Sequence, residues 1–258
     1  MNKEQRLNTI MKILGQNKAS SVQELSHQLK VSHMTVRRDL AALEKMDQVK
    51  VLHGSVVLHP NSGVRDDISY YSLISAGSQH QELKRQIGQL AAKLIEPDDT
   101  LIIDCGSTTE YLARYLPEGF HYTALCYALN IISETVKRRN CVSMFSGGVF
   151  HENTLMFESP EGLETIRRFR ATKAFISASG VNAQLGVTCT NSYERQTKKE
   201  MIRSSMRKIL LVDSSKFGLV RADYFADLSD FDEIVTDTGI PEEYAQTIQG
   251  LGITLRIA

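Results

Sequence analysis

The ten residues TLIIDCGSTT (100–109) run an apolar stretch straight into a polar turn built around a glycine. An unbroken apolar run of this length reads as a strand buried on both faces. Asp104, Gly106, Ser107, Thr108 and Thr109 follow it, and TTEYLARYL then carries the spacing of a helix. Strand, turn and helix in that order are the repeating unit of an α/β fold.

The alternation continues on both sides. A helix is expected over 81–95 before TLIID, and YTALCY (122–127), CVSMFS (141–146), KAFISAS (173–179) and KILLVDSS (208–215) read as further strands. Helices are expected at NIISETVKRR, near EGLETIRRF and over YERQTKKEMIRSSMRK (193–208). GVTC adds a short strand, and FDEIVTD, the helix EEYAQTIQG and ITLRIA close the chain. The pattern predicts a mainly parallel sheet covered by helices over residues 81–258.

Ligands of such sheets sit at the carboxyl ends of the strands. Four polar, glycine-containing turns fall there: DCGSTT (104–109), SGG (146–148), SASG (177–180) and DSSKFG (213–218). Ser107, Thr108 and Thr109 offer hydroxyls, and the following helix offers free N–H groups at its positive end. Gly106 lets the backbone approach a ligand, and Gly147, Gly148 and Gly180 occupy the other turns. Lys216 supplies a mobile cation. This equipment suits a phosphate or a carboxylate.

Composition narrows the class. Hydrophobic residues make up 42% of the 258 and charged residues 23%, which suits a chain with a substantial core. No apolar run approaches the roughly 20 residues of a membrane helix. MNKEQRLNTI lacks the apolar stretch of a secretory leader, so a cytoplasmic protein with no membrane partner is expected. The four cysteines have no CxxC spacing and read as reduced, buried thiols, with no metal site and no cofactor. Charge is divided unevenly. Residues 1–60 hold nine Lys/Arg against five Asp/Glu, a net of +4, and the remainder 21 against 25, a net of −4. A basic head on an acidic body suggests a nucleic-acid reader joined to another domain.

The head has the required pattern. Leu7, Ile10, Met11 and Leu14 define a helix that Gly15 should end. Val22, Leu25 and Leu29 define a second, with Ser20 or Ser21 as its cap. Ser32 caps a third, whose Val36, Leu40 and Leu43 face inward. Arg37 and Arg38 then point outward, and His33 and Thr35 fall in the first turn, where a recognition helix meets base edges. QVKVLHGSVVL (48–58) reads as two strands around a turn, a wing whose Lys50 and His53 can reach phosphate or the minor groove.

HQLKVSHMTVRRDLAALEKM (27–46), followed by a strand–HG–strand wing, resembles the N-terminal domain of DeoR-type bacterial transcription regulators, with TVRRDL the specific part. The chain departs from that pattern in lacking a glycine near Asp47–Gln48, an Arg or Thr near Leu52, and the second glycine of a GG pair at Gly54–Ser55. The D-x-G-[ST]-T turn, the GG turn and DSSKFG resemble the same family's effector domain, itself similar to ribose-5-phosphate isomerase. The resemblance implies a winged helix-turn-helix over 1–59, a linker over 60–80 with room for a short strand near SYYSLI, and a sugar-phosphate-binding domain over 81–258. It implies a repressor of a sugar or nucleoside catabolic operon, released from double-stranded operator DNA by a phosphorylated sugar, and a homo-oligomer. Ser32, His33, Thr35, Arg37, Arg38, Lys50 and His53 would face DNA.

An aldose–ketose isomerase needs a carboxylate base beside the sugar carbons. The related isomerases carry acids in the turn after the strand that here reads KAFISASGVN. This chain has Ser177, Ser179 and Asn182 there, and no acid between Lys173 and Glu194. A binding protein without catalytic activity is the expectation, with Asp104, Glu194 and Lys198 available to sugar hydroxyls. The alternative is an isomerase-like enzyme with a nucleic-acid-binding appendage.

Overall fold

The computed structural model describes residues 3–17, 19–45, 48–52, 55–58, 73, 76 and 79–258. Contacts divide the chain into two compact units, residues 1–70 and 71–258.

In the first unit, α1 (Lys3–Asn17), α2 (Val22–Leu29) and α3 (His33–Lys45) surround one core of Ile10, Leu14, Leu25, Val36, Leu40 and Leu43. Of the apolar positions that defined the helices, Leu7, Met11 and Val22 are partly buried against this core and the others are fully within it. A capping box starts α2: the Glu24 N–H donates to Ser21 Oγ at 3.1 Å, and the Ser21 N–H donates to the Glu24 carboxylate at 2.7 Å. Lys30, at φ 52°, turns the chain out of that helix. Arg6 pairs with the buried Asp39 at 2.7 Å and ties α1 to α3. The strands β2 (Val49–Leu52) and β3 (Ser55–Leu58) pair antiparallel, as a wing requires. Two features differ from expectation. The first helix runs past Gly15 to Asn17, since one glycine costs a helix only about 1 kcal/mol. A short strand β1 (Ala19–Ser21) then pairs with β3 and widens the wing to three strands. His53, the side chain of Lys50 and most of residues 59–78 lie outside the described residues.

Leu73 and Ala76, within the expected linker, belong to the second unit. Leu73 is buried, its backbone is helical rather than extended, and its N–H donates to the Asn153 carbonyl at 2.7 Å. The rest of SYYSLI is outside the described residues.

The second unit is built on a seven-stranded, wholly parallel sheet in the order β15-β14-β12-β9-β4-β5-β6. Its strands are β4 (Thr100–Ile103), β5 (Tyr122–Cys126), β6 (Cys141–Phe145), β9 (Ala171–Ser177), β12 (Ser205–Leu211), β14 (Glu233–Thr236) and β15 (Thr254–Ile257). The connecting helices are α4 (Gln81–Ala92), α5 (Ser107–Arg114), α6 (Leu129–Thr135), α7 (Pro160–Arg168), α8 (Ser192–Arg203) and α9 (Glu242–Gly250). From β4 the chain moves outward through β5 to β6, then returns to place β9 on the other side of β4. The crevice between β4 and β9 is therefore the topological switch point, where open α/β sheets take their ligands.

Two turns lead elsewhere than expected. SGG opens a hairpin of β7 (Val149–His151) and β8 (Met156–Glu158) before α7 begins. SASG leads into a small antiparallel sheet of β10 (Gly180–Asn182), β11 (Gly186–Cys189) and β13 (Asp223–Ala226). The helix expected to reach residue 208 stops at Arg203. There the Ser205 hydroxyl donates to the Met201 carbonyl at 2.7 Å, and Ser205 already pairs with Ala171 of β9. Strand pairing outweighs the helical propensity of SSMRK.

Gly88 lets α4 lie directly on α5, because a Cβ at this position would stand 2.7 Å from the backbone nitrogen of Leu112. Alanine should gain about 1 kcal/mol of helix propensity but lose about 1–3 kcal/mol to overpacking. Gly88→Ala is expected to lower stability in urea unfolding; an unchanged or higher midpoint would contradict this close crossing.

Candidate effector site and nucleic-acid interface

The carboxyl edge of the sheet brings three of the four turns side by side. DSSKFG follows β12, SASG follows β9 and DCGSTT follows β4, which are consecutive neighbours. SGG follows β6, two strands beyond β4, so Gly147 and Gly148 stand apart from the other turns.

A buried charge network lies under the junction of β4, β9 and α8. The Asp104 carboxylate has no exposed surface and takes hydrogen bonds from the Ser177 N–H at 2.8 Å and the Ser177 hydroxyl at 2.7 Å. The Tyr127 hydroxyl and the Lys198 ammonium also donate to it. Lys198, 1% exposed, donates in addition to the Ser177 carbonyl at 3.0 Å and stands 3.7 Å from Glu194. Burial works most strongly against the Lys198 ammonium, but Asp104, Cys105, Glu194 and Cys189 together more than offset it, and the lysine pKa lies above its ordinary value. Burial raises the Glu194 pKa, with Lys198 opposing. Burial, reinforced by Asp104, likewise pushes the Tyr127 phenol upward.

These contacts revise several sequence assignments. Asp104, Lys198 and Glu194, expected to meet sugar hydroxyls, are buried and committed to one another and to the backbone. Gly106 makes room for Ser177 rather than for a ligand: an added Cβ would lie 2.3 Å from Ser177 Oγ. The buried Thr109 hydroxyl donates to the carbonyls of Asp104 at 2.8 Å and Gly106 at 3.1 Å, fastening the turn. Gly180 passes the backbone of Leu219, where a Cβ would be 2.6 Å from a carbonyl oxygen.

The first turn of α5 is buried as well, with Ser107 8% exposed, Thr108 5% and Thr109 0%, but its amides are not used within the helix. The Glu110 N–H is the first in α5 to bond back along the chain, to Gly106 at 3.0 Å, so the amides of Ser107, Thr108 and Thr109 have no helical acceptor. Lys216, partly exposed, ends the short 3-10 turn Ser214–Lys216 two strands away. That turn is held by Asp213, whose Oδ1 accepts from the Ser215 N–H at 3.1 Å. Asp213 is fully buried, and its second oxygen has no hydrogen-bond partner among the described residues. Lys84 of α4, 1% exposed, donates to the Ala76 carbonyl at 2.5 Å and lies within the field of both Asp213 and Lys216.

Sequence reasoning missed Lys84 and Asp213. The signal for Lys84 was present: it takes the first place in the buried stripe Lys84, Ile87, Gly88, Ala91, where an apolar residue belongs. A cavity of about 310 Å³ between the β10–β11 turn and α9 is lined by Asn182, Gln184, Glu243 and Tyr244, and none of the predicted residues borders it.

On α3, His33, Arg37 and Arg38 are exposed on the side away from the core, with Met34 beside them at 59% exposure. Neither arginine has an ion-pair partner among the described residues. Ser32 and Thr35 are occupied differently. Ser32 Oγ accepts from the Thr35 N–H at 3.2 Å, and the two hydroxyls lie 3.0 Å apart, so both serve the helix cap.

Comparison with known proteins agrees with this division. Residues 6–61 match the model of the DeoR-like helix-turn-helix domain, and residues 79–238 match that of the DeoR C terminal sensor domain. The deoxyribose operon repressor of Escherichia coli K12 is 34% identical over 98% of both chains. The HTH-type transcriptional regulator GolR of Listeria innocua is 28% identical over 98% of both. Ribose 5 phosphate isomerase A of Neisseria gonorrhoeae aligns at a TM-score of 0.39 and 16% identity over 56% of each chain, too distant to bear on function. A helix-turn-helix head joined to an α/β sensor defines a DNA-binding transcription regulator. The chain belongs to the DeoR family of such regulators.

Lys84 gives the sensor a pH signature. Burial, partly offset by Asp213, lowers its pKa from 10.5 to about 8. The unfolded chain then binds more protons between those values, so this residue's destabilising contribution shrinks as pH rises. Relative to Lys84→Met, the native protein should gain about 2 kcal/mol between pH 7.5 and 10. Urea unfolding of both at the two pH values checks this, and a constant difference would contradict the burial.

Proposed function

We propose that the chain is a repressor that holds operator DNA through α3 and lets go when a phosphorylated sugar occupies the carboxyl edge of the sensor sheet. The observation that carries this reading is the division of labour at the switch point. The charged groups behind the turn are locked together, while the amides of the buried Ser107–Thr109 turn have no acceptor within α5 and Lys216 is partly exposed. Free amides at a helix N-terminus together with a lysine suit a phosphate. Ser107 and Thr108 supply hydroxyls to the same anion, and Asp104, Lys198, Glu194 and Thr109 shape the turn from behind. The name of the deoxyribose operon repressor, a relative along nearly its whole length, makes deoxyribose 5-phosphate the first sugar to test.

Catalysis is not part of this reading. Proton transfer between neighbouring sugar carbons needs a carboxylate free to act as base. Asp104 is saturated by Ser177, Tyr127 and Lys198, and Glu194 serves the α8 capping box with Asn191. The protein works as an oligomer, pairing reading heads whose individual DNA interfaces are small. Ligand must bind one arrangement of the regulator better than another, since otherwise it could not shift DNA affinity.

Two substitutions separate the functions. Arg38→Ala should weaken binding to DNA from upstream of the protein's own gene by roughly 5- to 100-fold, leaving deoxyribose 5-phosphate affinity unchanged. Lys216→Ala should lower that sugar's affinity by roughly 10- to 100-fold, leaving DNA affinity without ligand intact. Fluorescence anisotropy and calorimetry read the two. Equal DNA affinity in Arg38→Ala would remove α3 as the reading helix, and equal sugar affinity in Lys216→Ala would move the phosphate elsewhere. NMR of the sugar incubated with the protein should show no turnover.

A further inference from the structure

The sensor sheet ends in a bare strand. β6 is an outermost strand, so one row of its backbone N–H and C=O groups has no partner within the sheet. Sixteen large apolar side chains are exposed among the described residues, and seven of them fall within residues 129–150, on α6 and its C-cap, on β6 and at the start of the hairpin. Val142 is 63% exposed, Val149 68% and Phe150 43%. Phe157 joins the cluster, its ring 5.1 Å from Phe145 and 5.0 Å from Phe150. An exposed apolar patch this concentrated marks an interaction site. The opposite edge strand, β15, is protected in the usual way by a charge: Arg256 lies on it, paired with Glu233 at 2.7 Å.

Charge identifies the occupant. Residues 141–150, CVSMFSGGVF, contain no Asp, Glu, Lys, Arg or His, which suits neither DNA nor a strongly charged protein. A two-fold axis lays a surface against itself, so a charged strand would repel its own copy, and this strand carries no charge. Its flanks differ in sign. Lys137, Arg138 and Arg139 precede β6, while Glu152 and Glu158 lie on the hairpin beyond it. Antiparallel pairing sets the basic flank of one copy beside the acidic flank of the other, whereas parallel pairing would set like on like. Arg139 and Glu152 are exposed and have no ion-pair partner among the described residues.

We propose that β6 and the β7–β8 hairpin form a two-fold interface with a second copy of this chain, β6 pairing antiparallel with its counterpart to continue the sheet. The inference specifies the surface through which the assembly proposed above forms, and it does not depend on the identity of the effector. It gives each pair of sensors one fixed relation, as a regulator with paired reading heads requires.

The test uses the full-length chain at about 20 µM, a concentration at which a stable interface holds. Sedimentation velocity should show native protein at twice the monomer mass or more, and the double variant Val142→Lys/Met144→Lys at half the native mass. Ser143→Cys, at the middle of β6, provides a second measurement in an otherwise native surface. Full antiparallel overlap of the two copies of β6 (Cys141–Phe145) puts Ser143 opposite Ser143. Paired strands bring facing Cα atoms to about 4.5–5.5 Å, within disulfide reach, so mild oxidation should yield a covalent dimer well beyond that of the native chain. A monomeric native protein, or a double variant of unaltered mass, would overturn the proposal, as would a Ser143→Cys chain that cross-links no more than the native one. Failure of deoxyribose 5-phosphate to bind would count against the effector reading alone and leave these outcomes intact.

Discussion

The contact on which the sensor rests is the buried pairing of Asp104 with Lys198. Neither side chain reaches water, and each would be costly to bury alone. Losing one member of such a pair typically costs about 3–5 kcal/mol, because the other is left charged and unsolvated. Here the geometry is completed by Ser177 and Tyr127, so the carboxylate is fully served. The network joins the end of β4 to β9, β5 and α8 at the point where the chain reverses its direction of travel across the sheet. It fixes the shape of the DCGSTT turn from behind.

From that constraint the character of the site follows. A carboxylate held by four donors cannot also accept a proton from a sugar carbon, and the neighbouring Glu194 is committed to a helix cap. The rim in front has the opposite character: amides without acceptors and a lysine that is partly exposed. On the proposed reading this turn would hold an anion and leave it chemically unchanged, as a sensor requires. The buried Lys84 and Asp213 extend this pattern to the next turn, where charge is again stored beneath a more open surface.

Much of the fold was legible in the sequence because it depends on local pattern. The apolar spacing of Leu7, Ile10 and Leu14, of Leu25 and Leu29, and of Val36, Leu40 and Leu43 marked the head's core correctly. The unalternating runs TLII and KAFIS indicated strands buried on both faces. The long-range contacts were not legible. Asp104 and Lys198 are 94 residues apart, and nothing beside either names the other. Gly106 looked like room for a ligand, yet the space is filled by Ser177, 71 positions downstream in the chain, whose Oγ would lie 2.3 Å from an added Cβ. The stop at Arg203 was hidden for the same reason, since SSMRK suits a helix until β9 is present to pair with it.

The central claim concerns where the anion sits, and amide shifts on titration locate it most directly. With the chain labelled in nitrogen-15 and deoxyribose 5-phosphate added stepwise, the backbone signals of Ser107, Thr108, Thr109 and Lys216 should move first and furthest. If those four stay still while saturable shifts gather around another part of the sensor, the turn after β4 is only a well-made joint and the account of the site is wrong.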